Sequence, residues 1–159
     1  MVSRKIRLTT LIIGGFILAI VGLIWIYFFD VTVKTEVKWL YVGLFFGIVS
    51  GVLSIFGGYL SNDEETIRST IVLSIALALD ITFLVFLFIA DADPAVIKAA
   101  KMNKAYGLFR TINIIAMISS ILGIVVLVGG ITLDVIAKII SRRESIEFAK
   151  EHQEIGQQD

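Results

Sequence analysis

The sequence predicts an all-α integral membrane protein, a bundle of four transmembrane helices, and three observations carry that prediction. Hydrophobic residues make up 57% of the 159-residue chain and charged residues only 18%, which is more apolar than a soluble domain of this size. Four runs, at about residues 8–29, 39–60, 69–90 and 111–133, reach the roughly 20 residues a helix needs to cross a bilayer, with Asp80 the one charged residue inside them. Glycine, alanine and serine recur in these runs at spacings of three and four, which clears one side of a helix for close approach by another. The expected organisation is a membrane domain over residues 1–140 and a polar C-terminal tail over 141–159.

The first run follows Arg4, Lys5 and Arg7 and extends from Leu8 to Phe29. It is too long for the apolar core of a signal peptide, about 7 to 15 residues, so a retained helix is expected. Gly15, Ala19 and Gly22 give it a small-residue face, and Trp25 and Tyr27 near its far end suit an interfacial aromatic belt. Residues Asp30 to Lys38 read as a loop. The second run, Trp39 to Leu60, carries Gly43, Gly47 and Gly51 four residues apart, with Ser50 and Ser54 alongside. It is expected to be the central helix, its glycine stripe packed on the first or fourth span. The short connection after it makes the second and third spans antiparallel neighbours. Within that connection Ser61 precedes Glu64, and Asn62 precedes Glu65, at capping-box spacing, and Asp63 adds negative charge where a helix dipole is positive.

The third run, residues 69–90, has Asp80 near its middle. Asp93 followed by Pro94 is a helix-start signal. Ala95 to Arg110 places Lys98, Lys101 and Lys104 on one side, as expected of an interfacial helix before the fourth span or of a basic extension into it, with Gly107 the easiest bend. The fourth run presents Ala116, Ser119, Ser120 and Gly123 on one face, and Gly129 with Gly130 offers a kink. Its apolar pattern persists past Asp134 and Lys138 to Ile140, so the helix is expected to tilt or to project into water. The tail can continue as helix, with Arg143, Glu147 and Lys150 at ion-pair spacing.

Chemistry is sparse. With no cysteine there are no disulfides, thiolate metal sites or thiol nucleophiles. The single histidine, His152, sits in the polar tail. The fourteen basic residues balance fourteen acids and form no basic face for nucleic acid. No span holds histidine or cysteine, and no serine has a base beside it, so neither enzyme, cofactor nor metal is expected.

Asp80 is the functional lead, because an ionisable group at mid-bilayer costs at least about 2.5 to 3.5 kcal/mol. No cation lies at matching depth, so the carboxyl is expected to be neutral, or solvated by a water-filled cavity or a bound cation. Its candidate hydrogen-bond partners are Ser50, Ser54, Ser119 and Ser120; Thr82 points about 160° away on an ideal helix. The layout resembles the duplicated proteolipid subunit of rotary ATPases in span number and in having one membrane acid. It departs from that family because Asp80 is in the third span, not the last, and that span has no glycine, so membership is not assigned. The expectation is a multi-pass protein of the cell membrane with both termini cytoplasmic. It would act as a non-catalytic accessory or scaffold subunit beside other membrane subunits or copies of itself. The alternative is a small proton- or cation-coupled transporter or channel using Asp80.

Overall fold

A computed structural model describes residues 4–33, 37–61 and 67–156. All elements among these residues are α-helices: α1 (Arg4–Val33), α2 (Trp39–Leu60), α3 (Arg68–Ala92), α4 (Pro94–Met102) and α5 (Tyr106–Gly156). Of these, α1, α2, α3 and α5 are long and apolar enough to cross a membrane.

The buried positions explain why these helices run side by side. On α3 they are Ser69, Leu73, Ala76, Asp80, Phe83, Leu87 and Ala90, alternating steps of four and three. On α1 the same alternation links Leu11, Gly15, Leu18, Gly22, Trp25 and Phe29, with Arg7 a further step of four before them, and α5 repeats it from Phe109 through Asn113, Ala116 and Ser120. An average step of 3.5 residues keeps one stripe facing the same neighbours along the whole length of a helix. The helices form a ring in which α1 packs on α2, α2 on α3, α3 on α5 and α5 on α1, while among the described residues the α1 and α3 backbones do not approach each other across the diagonal. Neighbours are antiparallel: Gly15 lies beside Gly51 and Gly22 beside Ile48, and Trp25 meets Asn113 while Arg7 meets Leu133.

The second helix is therefore one side of a ring and not its centre, and its glycines face α3 and α1, not α5. Four residues turn a helix by about 400°, so each step along Gly43, Gly47 and Gly51 rotates the stripe by about 40°. Gly43 and Gly47 receive the rings of Phe86 and Phe83 from α3, whereas Gly51 has swung round to Gly15 and Ala19 on α1. A Cβ on Gly51 would stand 2.6 Å from the Gly15 carbonyl oxygen and 2.7 Å from the Ala19 amide nitrogen. Both are backbone atoms, which side-chain motion cannot clear.

Other expectations need correction. Trp25 is no interfacial residue: it is buried, stacks on Phe29 at 4.6 Å between ring centroids, and donates to Asn113. Ser61 is the C-cap of α2, while the rest of the expected capping boxes, Asn62 and Asp63 to Glu65, lies outside the described residues. Asp93 does cap α4, accepting from the Ala95 and Val96 amides at 2.7 and 3.4 Å, with Pro94 in the first turn. That helix turns Val96 and Ala100 into the bundle core, closing the end opposite the termini. The chain then breaks around Lys104, which takes a left-handed φ of 53°, so the bend falls before α5 begins and not at Gly107. Gly129 and Gly130 do not interrupt α5, and Gly130 accommodates Leu11.

Beyond Lys138, α5 continues for about 27 Å at 1.5 Å per residue with nearly every side chain exposed. Arg143, Glu147 and Lys150 form no ion pairs there; among the described residues the one ion pair is Lys138 with Asp134.

Two substitutions separate contact from propensity. Gly51→Ala should destabilise the protein by about 1 to 3 kcal/mol through backbone overlap. Gly129→Ala, where a Cβ meets nothing within 4 Å, should be neutral or stabilising by up to about 1 kcal/mol. Thermal unfolding of the two purified variants beside the parent measures both.

Candidate functional site

Three polar levels interrupt the apolar seam; each is built by α3 and α5, and α1 contributes at the two outer ones. The middle level is Asp80. Its register between Ala76 and Phe83 turns the side chain into the ring, where it is fully buried. Ser120, in the matching position of α5, donates to Oδ1 at 2.5 Å. The other oxygen, Oδ2, is buried with no hydrogen-bond partner. It lies against Gly123, where a Cβ would come within 2.6 Å of it. Glycine at 123 is thus what lets the carboxyl lie flat on α5.

Of the four serines expected to serve Asp80, one does so. Ser50 donates instead to the Ala76 carbonyl at 2.6 Å, and Ser54 to the Leu11 carbonyl at 3.2 Å. These bonds pin α2 to α3 and to α1. Ser119 is half-buried and not bonded to Asp80. The small residues Gly15, Gly22, Gly43, Gly47, Gly51 and Ala116 are all buried inside the chain, and Ala19 contacts the same face through its neighbour Gly51.

The level nearer α4 is Asn113. It accepts from Trp25 Nε1 at 3.0 Å and donates to the Leu87 carbonyl at 3.2 Å and to Asp91 Oδ1 at 3.3 Å. One amide therefore holds α1, α3 and α5 together.

The level at the terminal end is ionic. Lys138 and Asp134, four residues apart on α5, pair at 2.7 Å, and the ammonium also donates to Ser69 at 2.6 Å and Thr70 at 3.0 Å. Both hydroxyls donate in turn to Asp134 Oδ2, at 2.8 and 2.6 Å. Nearby, Arg7 donates to the Leu133 carbonyl at 3.1 Å and to the Ser61 carbonyl at 3.2 Å, placing a cation at the negative end of α2. Asp134 and Lys138 are 1% and 8% exposed, so they belong to the bundle and not to a watery extension. Eleven residues of α3 separate Ser69 from Asp80 and Asp80 from Asp91, which spaces the levels about 16 Å apart.

Sequence reasoning passed over Asn113, Arg7 and the Asp134–Lys138 pair. The signal that finds them is register: Asn113 is seven residues before Ser120 and Asp134 fourteen after it, one and two heptads along the same stripe. Chemically, Asp80 is a carboxyl whose one side-chain partner among the described residues is the Ser120 hydroxyl, with no second acid or histidine bonded to it. Among the described residues no group of three histidine, cysteine or acidic side chains is placed to hold a metal ion.

The ionic level gives a stability test. Asp134→Ala strands the Lys138 ammonium among hydroxyls and should cost about 3 to 5 kcal/mol, whereas the double change of Asp134→Leu with Lys138→Leu should cost far less or stabilise. Chemical unfolding of both proteins distinguishes a buried pair from a solvated one. Comparison of the chain with protein-family models, with curated proteins and with solved structures gives no match, so function rests on this geometry alone.

Proposed function

We propose that the chain is a multi-pass protein of the cell membrane, with α1, α2, α3 and α5 spanning the bilayer, and that it serves as a non-catalytic accessory or scaffold subunit of a membrane assembly. Its outer surface supports the membrane setting. Ile17, Ile24, Phe45, Phe56, Val85 and Ile118 are each about half exposed and represent apolar faces on all four long helices, far more apolar area than water-soluble monomers present. Tyr27, Trp39 and Tyr59 are exposed near helix ends, where amphipathic rings favour a headgroup region. Lys5, Arg7, Arg68, Lys138, Arg142, Arg143 and Lys150 at the terminal end outnumber Lys38, Lys98, Lys101, Lys104 and Arg110 at the other, favouring cytoplasmic termini. On this reading α4, with its lysines outward, lies at the opposite interface.

The observation that carries the accessory role is the α5 extension. The small-residue faces are covered within one chain, so they leave nothing over for a partner. Residues 142–156 are exposed and, among the described residues, packed on no other helix, with Phe148 and Ile155 63% and 66% exposed. The partner contact is therefore assigned to this extension in water. The buried polar side chains tie helix to helix, a structural use that requires no turnover.

One observation favours a second reading, proton- or cation-coupled transport: the buried, unpartnered Oδ2 of Asp80. An oxygen without a protein donor is free to take up a proton or a cation.

Tagged full-length protein purified in mild detergent should bring down a partner in fixed proportion. Phe148→Asp combined with Ile155→Asp should release that partner while leaving the unfolding temperature of the bundle unchanged. Recovery as a lone monomer would defeat the accessory reading. For the second reading, liposomes carrying the protein should show pH-dependent flux that Asp80→Asn abolishes; flux equal to empty liposomes removes it.

A further inference from the structure

A groove of about 330 Å3 opens between the first turns of α3 and the part of α5 that leaves the bundle. Its volume is at the lower end of the range for small-molecule sites, roughly 300 to 1,000 Å3. Ile67, Ile71, Val135 and Ile139 line it, with Thr70, Lys138 and Arg142; no carboxylate is among the lining residues. The ammonium of Lys138 is held by Asp134, Ser69 and Thr70, which uses its three donors. Arg142 is different. It is exposed and, among the described residues, has no acidic partner.

We propose that this groove binds an acidic phospholipid, an inference that rests on the membrane setting proposed above. An acyl chain would lie along Ile67, Ile71, Val135 and Ile139, and the phosphate would sit at the Arg142 guanidinium, whose planar donors match phosphate oxygens two at a time. The site is amphiphilic in the order a lipid requires. Its apolar wall continues the aliphatic faces of α3 and α5, and its cation stands where α5 emerges from the ring. A free phosphate would satisfy the guanidinium but leave the isoleucine wall uncovered. A neutral lipid would cover the wall but, for lack of net negative charge, leave Arg142 uncompensated.

The test uses full-length protein in detergent micelles, supplied with equal amounts of phosphatidylglycerol and phosphatidylcholine, and reads bound lipid by native mass spectrometry. Phosphatidylglycerol should be retained over phosphatidylcholine by about fivefold, the ratio expected of one basic side chain near a lipid headgroup. Arg142→Gln should bring the two lipids level. Val135→Trp, which fills the groove, should lower retention of both. Equal retention by the parent protein, or an undiminished preference in Arg142→Gln, overturns the proposal. So does displacement of the lipid by millimolar inorganic phosphate, which would mean that only the headgroup is recognised. A separate flotation with phosphatidylcholine vesicles isolates the underlying assumption: failure to float removes the membrane reading, whereas flotation without lipid preference removes only this site.

Discussion

The fold depends on the constraint that a long helix can keep the same neighbours only if its inward residues recur every 3.5 positions. All four long helices obey it. The consequence is that every side chain in that register is delivered to the interior whether it is apolar or not. Leu73, Ala76 and Leu87 arrive by this rule, and so do Ser69 and Asp80 on the same helix. Polar groups in the core are thus not defects of the pattern. They occupy it, and each has an interior neighbour because α1 or α5 brings its own in-register residue to the same level.

The three levels differ in kind, and the difference follows from solvation. The ionic level lies at the end of the bundle, near where α5 leaves it, and there two charges are held by two hydroxyls that each bond to the same carboxylate oxygen. The middle level has a single acid and a single hydroxyl. The level near α4 uses an amide, which satisfies donor and acceptor together without any charge. Removing one partner from the first kind leaves an uncompensated ion, while the third kind loses only neutral hydrogen bonds.

Glycine has two separate uses in this architecture. At Gly15 and Gly51 its lack of a side chain lets the α1 and α2 backbones approach so closely that a Cβ on either residue would overlap the other's carbonyl oxygen. At Gly123 it leaves room for a carboxylate oxygen of another helix. The proposed roles differ accordingly: the first pair shapes the ring, and the second shapes the environment of Asp80, whose Oδ2 is a buried carboxylate oxygen without a partner. The capping of the bundle by α4 completes the enclosure, since Val96 and Ala100 join the same core as Phe29, Ala90 and Phe109.

The sequence by itself determined that there would be four long apolar helices, where the first three begin and end to within a few residues, and that Asp93 and Pro94 start a further helix; the fourth, expected over 111–133 before a tail that can continue as helix, runs unbroken from Tyr106 to Gly156. Length, hydropathy and capping chemistry are local properties, readable one segment at a time. It also singled out Asp80 and Ser120, because a charge in an apolar run stands out without any knowledge of its neighbours. Only the tertiary structure decided that Ser120 and not Ser50, Ser54 or Ser119 meets that acid, that Trp25 is core and not rim, and that Asp134 and Lys138 are enclosed. Each of those outcomes turns on which neighbour a given face of a helix meets. A difference of 40° per step along one helix, invisible in composition, moves a glycine from one partner to the next.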